Sequence, residues 1–237
     1  MRPAFYALER GGWRDYVTLL HPPYTTWHLA YVVVGGCLSP VVAWERLGLT
    51  VLAFFLAMGV GAHALDELNG RPLQTRIPRR VLVALAAVSV TAACAIGVAV
   101  ALSFSPWILV AVGVGAFLVP AYNLELFGGR FHTDRWFGVA WGAFPVLTGY
   151  LAVTGTLRAE AVLAAAWATL LSLAQRRLSL PVRRVRRQGV AVGEVGLADG
   201  DATPSAPALL LSAPEAALRL LAASTVLAAA ALVAARV

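Results

Sequence analysis

A histidine and two carboxylates stand together where an apolar stretch ends, in Gly61-Ala62-His63-Ala64-Leu65-Asp66-Glu67-Leu68-Asn69-Gly70-Arg71-Pro72. His63, Asp66 and Glu67 fall at i, i+3 and i+4, the spacing that gathers side chains on one helix face. Such a trio could hold a divalent cation. Ionisable groups at the end of an apolar span are costly unless they meet a cavity, a partner or water. The plainer reading is a helix end at the interface, with Asp66 and Glu67 paired to Arg71 or Arg76.

A second polar stretch runs from Pro120 to Trp136. Glu125, His132 and Asp134 offer further ligands or a base, and Arg130 and Arg135 offer anion contacts. Gly128-Gly129 permits a tight turn. For Asp134, pairing with Arg135 or capping the fifth helix accounts for the residue as well as a site role does. Upstream, His21-Pro22-Pro23-Tyr24-Thr25-Thr26-Trp27-His28 mixes imidazoles and aromatics. Its prolines fit the first turn of a helix. Tyr24, Trp27, Trp136 and Phe137 read as interfacial anchors, and His28 becomes a site candidate if it faces inward.

The elements that must position these residues are membrane helices. The chain is 59% hydrophobic and only 13% charged, which leaves too little polar surface for a soluble domain of 237 residues. Seven apolar stretches are expected as spans, over 26–43, 47–65, 81–102, 107–121, 137–154, 161–174 and 216–235; the fourth and sixth are short enough to require tilt or irregular ends. Cys37 and Cys94 each sit in an apolar run and read as small buried hydrophobes. No cleavable signal peptide is expected, because Arg2, Glu9, Arg10, Arg14 and Asp15 interrupt the first twenty residues.

All 19 basic residues are arginine, and the net charge is +7. Loops on one side carry Arg2, Arg10, Arg14, Arg71, Arg76, Arg79, Arg80, Arg130, Arg135, Arg176, Arg177, Arg183, Arg184, Arg186, Arg187 and Arg219. The other side carries Arg46, Arg158 and Arg236. That bias predicts a multi-pass cell-membrane protein with a cytosolic N-terminus and an external C-terminus. The expected organisation is a cytosolic segment 1–25, a membrane core 26–175, a basic and then flexible cytosolic linker 176–214, and a final span 215–237. Both polar loops then share the cytosolic mouth, a layout suited to an amphiphile with its head at the mouth and its tail between helices. A transporter is disfavoured, since no span has a charge at its centre and no inverted repeat is evident.

These residues resemble the UbiA-type intramembrane prenyltransferase superfamily. Tyr16-Val17-Thr18-Leu19-Leu20-His21-Pro22-Pro23 is similar to the Pro-containing approach to that family's first helix. Arg71-Pro72-Leu73 and Arg76-Ile77-Pro78 resemble the segments after its Asp-rich motif. Tyr122 and the basic loop after it, with Gly142-Ala143-Phe144-Pro145, resemble its fourth and fifth helices. The likeness covers about residues 16 to 175. It implies an all-α membrane bundle that joins a polyprenyl diphosphate to an acceptor, often an aromatic ring, with Mg²⁺ on two Asp-rich cytosolic loops neutralising the leaving diphosphate.

The departures are specific. The family's Asn-Asp-x-x-Asp, with a further Asp four residues on, reads here Ala62, His63, Asp66 and Gly70. The second Asp-rich loop should follow the sixth span, yet 175–188 has no Asp and is strongly basic. About seven spans stand where the family usually has nine. The resemblance therefore implies one Mg²⁺ ion rather than two, held by Asp66, Glu67 and His63, or a diphosphate neutralised directly by arginine. His63, Asp66, Glu67 and Glu125 are the expected catalytic groups; Asn69, Arg71, Arg76, Tyr122, Asn123, Arg130 and His132 are the expected substrate contacts. The function expected is prenyl transfer at the cytosolic face. The alternative is a non-catalytic membrane or lipid-binding subunit, and a protein partner fits either.

Overall fold

The computed structural model describes residues 2–188 and 206–237, and those residues form helices and loops with no strand. Their helices are α1 (Trp13–Leu19), α2 (Pro22–Cys37), α3 (Trp44–Leu68), α4 (Arg79–Ser103), α5 (Ile108–Asn123), α6 (Asp134–Thr154), α7 (Ala159–Gln188) and α8 (Ala206–Ala234). Each expected apolar stretch falls largely within one of α2 to α8. Four helices are long and apolar enough to cross a membrane: α3, α4, α6 and α8 from Leu211 onward. Helix α5 is apolar but shorter. Backbone polar groups in lipid must be satisfied within the chain, which is why such sequences fold as helices.

Helix α2 packs against α3, α6 and α8. Its contact with α6 needs residues without side chains: a Cβ on Gly35 would lie 2.1 Å from the Val146 carbonyl oxygen, and one on Gly149 would lie 2.2 Å from that of Val32. Small residues let helix backbones approach closely where the surroundings are as apolar as the core. Trp27, Tyr31 and Tyr150 are fully buried in this packing. Trp27, expected at the interface, instead donates its indole N–H to the Tyr31 hydroxyl at 2.7 Å.

Two helices depart from regular α geometry. α3 widens into a π-helix over Phe55–Ala62, and α6 does so over Val139–Ala143. Such widenings leave carbonyls seeking other donors and frequently mark functional positions. His63 Nδ1 meets the Gly59 carbonyl at 3.0 Å, and His28 Nδ1 meets the Trp141 carbonyl at 2.8 Å.

The expected linker differs most. α7 runs on to Gln188 without a break after Ala174, and 206–214 already belongs to α8; only 189–205 of that linker lies outside the described residues. The basic run is helical because its small, apolar and inward-facing residues recur with the helix period: Ser172, Gln175, Arg176, Ser179 and Val182 are all buried. Arg186 on the same side pairs with Glu215 of α8 at 2.5 Å.

Candidate functional site

The loop after α3 takes one of that helix end's two carboxylates for its own structure. Glu67 is fully buried, and its Oε2 accepts the Leu73 N–H at 2.9 Å. Its Oε1 accepts the Thr75 N–H at 2.7 Å and the Thr75 hydroxyl at 2.9 Å. Arg71, at φ 49°, turns back to donate to the carbonyls of Thr75 and Ile77 at 2.8 and 3.0 Å. Glu67 and Arg71 therefore hold their own loop together and not each other. The Arg76 side chain is exposed, and its backbone N–H donates to Asp15 Oδ2 at 2.8 Å.

Above α3 opens a polar cavity of about 250 Å³. His63, Asp66 and Asn69 line it from α3 and its end, and Tyr122, Asn123, Glu125 and His132 line it from α5 and the following loop. The two expected loops thus meet at one mouth. Asn69 Nδ2 joins them by donating to the Asn123 carbonyl at 3.2 Å. Arg130 is exposed and, like Glu67, Arg71 and Arg76, does not line the cavity.

All four histidines of the chain line this cavity. His21 and His63 stack at 4.0 Å between ring centroids, and the Tyr6 hydroxyl lies 3.0 Å from His21 Nδ1. His28, His63 and His132 each place Nδ1 on a backbone carbonyl, of Trp141, Gly59 and Tyr122 respectively. A carbonyl only accepts, so Nδ1 carries the proton and the neutral ring keeps its lone pair at Nε2. Residues Pro3 to Tyr6 also line the cavity, with Phe5 edge-on to Tyr24. Tyr24 and Phe137, expected as interfacial anchors, both line the cavity.

The largest addition beyond the expected site comes from α7. Gln175, Arg176, Ser179 and Arg183 line the cavity. Arg176 is fixed from two sides: its Nε donates to Asp134 Oδ1 at 2.5 Å and its Nη1 to the Tyr122 hydroxyl at 2.7 Å. Its guanidinium also sits 5.1 Å from the Phe137 ring centre. Asp134 is therefore the partner of Arg176 and not of Arg135, while Thr133 caps α6 by accepting the Trp136 N–H at 3.3 Å. The signal available in the sequence was the spacing of 176, 179 and 183 on one helix face.

Below the polar cavity lies an apolar one of about 100 Å³, walled by α3, α4, α5 and α6. Met58 and Trp141 line both cavities. Each of these two residues sits in one of the π-helical stretches, so the wall common to the two cavities is built from irregular backbone. Cys94 lines the apolar cavity, and Cys37 is buried elsewhere.

Among the described residues no group of three or more His, Cys, Asp or Glu side chains is placed to share an ion. Of the expected metal set, both oxygens of Glu67 are engaged by the loop, while His63 and Asp66 line the cavity. Asp66 is left as the carboxylate of the trio at the cavity. Comparison with protein-family models, with curated proteins and with solved structures finds no match to this chain.

Proposed function

We propose that this chain is a multi-pass membrane enzyme that seats an isoprenoid with an anionic head, and that it transfers a prenyl group from a polyprenyl diphosphate at the cytosolic face, as a divergent relative of the UbiA-type enzymes. The observation that carries this reading is the common wall of Met58 and Trp141 between a polar cavity at the helix ends and an apolar cavity inside the bundle. A polar head and a greasy tail joined in one molecule match that pair of spaces. Seven apolar helices, α2 to α8, are read as the spans, with the N-terminus in the cytosol and the C-terminus outside. Two of the three arginines on the external side support that orientation, because they serve local ends: Arg46 donates to the carbonyls of Ala152 and Val153, and Arg236 to that of Cys37.

In the reaction, the allylic C–O bond breaks and its electron pair leaves on the diphosphate. The acceptor supplies the electron pair for the new bond and then loses a proton. Cationic side chains at the cavity stabilise the departing charge. The rings of Tyr122, Phe137 and Trp141 provide π faces beside the developing allyl cation. His63 and Asp66 stand at the cavity as proton acceptors. A lipid-binding subunit without chemistry is the second reading, favoured by the engagement of Glu67 in its loop.

The test is incubation of the purified protein with polyprenyl diphosphates of several lengths, with and without Mg²⁺, following diphosphate release and prenylated product. Release or product supports the enzyme. Binding without either supports the subunit, and no binding of any length removes both.

A further inference from the structure

We infer that the head of the ligand is held as a phosphate-type oxyanion by Arg176 and Arg183 of α7, without a metal ion. This rests on the reading of the polar cavity as a head-group site. It departs from the metal-bridged arrangement that the resemblance implies, because both oxygens of Glu67 are engaged by its loop and the stretch 175–188, where the second acidic loop would fall, has no Asp.

Among the described arginines of α7, two are at the cavity. Arg177 is 78% exposed in its side chain, Arg184 is exposed, and Arg186 is held by Glu215. Arg176 and Arg183 are seven residues apart, two turns on one face, with Ser179 between them. Arg176 arrives prepositioned, since Asp134 and Tyr122 fix its guanidinium before any ligand binds. Arg183 donates from Nη2 to Ser179 Oγ at 3.1 Å, yet its Nε is buried with no partner. Gln175, only 4% exposed, leaves its Oε1 without a partner as well.

Unmet buried polar groups are rare because each costs the desolvation of a donor or acceptor. Two of them line the cavity, Gln175 Oε1 and the Nε of the Arg183 guanidinium itself, and a ligand that brings several oxygens accounts for them. A phosphate or diphosphate does so: guanidinium forks match its oxygens two at a time, and the Gln175 amide offers N–H donors in its other orientation. A carboxylate-rich Mg²⁺ site would present the opposite charge.

The experiment uses the full chain in detergent, titrated with inorganic phosphate, inorganic pyrophosphate, a short-chain phosphatidic acid and geranylgeranyl diphosphate, each in EDTA and in Mg²⁺. Pyrophosphate and geranylgeranyl diphosphate are expected to bind in EDTA within about twofold of their affinity in Mg²⁺. Arg183→Gln is expected to weaken both by about tenfold or more, with Arg183→Lys between it and the parent and Arg184→Gln unchanged. Stronger binding of phosphatidic acid than of either diphosphate assigns the site to a lipid head group and keeps the arginine pair. Binding that EDTA abolishes and Mg²⁺ restores overturns the inference while leaving the proposed function standing. Equal binding by Arg183→Gln and Arg183→Lys to the parent overturns it too. If geranylgeranyl diphosphate binds under neither condition while pyrophosphate binds in EDTA, the proposed function falls and the anion site remains.

Discussion

Glu67 Oε1 accepts both the N–H and the hydroxyl of Thr75, so this carboxylate belongs to the loop and its neighbour Asp66 belongs to the cavity. Adjacent residues on a helix point about 100° apart, and that angle sends the two carboxylates to different surroundings.

The first prediction follows from that bond. Glu67→Ala strips the acceptor from two buried N–H groups, at a cost of about 1–3 kcal/mol for each group left unmet. A marked fall in thermal midpoint and in folded yield is expected. Asp66→Ala is expected to leave both near the parent while removing turnover. Equal thermal midpoints for the two variants would show that the loop does not depend on Glu67.

Helix contact supplies the second. Gly149→Ala forces a methyl group into the Val32 backbone, whereas a Cβ at Gly48 meets nothing within 4 Å. Gly149→Ala should therefore lose folded protein. Gly48→Ala should be neutral or stabilising by up to about 1 kcal/mol, since alanine is the better helix former. Thermal denaturation in one detergent separates the two, and identical midpoints would contradict the α2–α6 packing.

Much of this architecture was legible in the sequence. Apolar runs locate the helices because lipid admits little else, and the His63 and Tyr122 loops meet at one cavity as the placement of the arginines implied. The basic run after Ala174 reads in sequence as a linker because its arginines match a cytosolic loop, whereas the structure carries α7 through it to Gln188. What identifies it as helix is the period of Gln175, Arg176, Ser179 and Val182, a pattern of mixed small and charged residues that apolarity alone does not reveal. The roles of Glu67 and Arg71 were not legible, since they depend on how the 69–78 loop folds back. Nor was the pairing of Asp134 with Arg176, which lies 42 residues away.

Orientation gives the third prediction. In a background with Cys37 and Cys94 replaced by Ala, Val41→Cys and Phe127→Cys place thiols at exposed positions at opposite ends of the bundle. A membrane-impermeant maleimide added to intact cells should label Val41→Cys and spare Phe127→Cys until the cells are opened. The reverse pattern would invert the proposed topology.

The central claim is that one ligand occupies both cavities, head at Arg176 and tail beyond Met58 and Trp141. The most direct measurement is photo-crosslinking of the purified protein with a polyprenyl diphosphate carrying a diazirine near the end of its tail, mapped by mass spectrometry. Crosslinks at the apolar cavity, at Ala93, Ile96, Val112 or Ala116, that excess unlabelled diphosphate removes are the predicted result. Crosslinks confined to lipid-facing positions such as Val88 and Leu227, undiminished by that competitor, would contradict it.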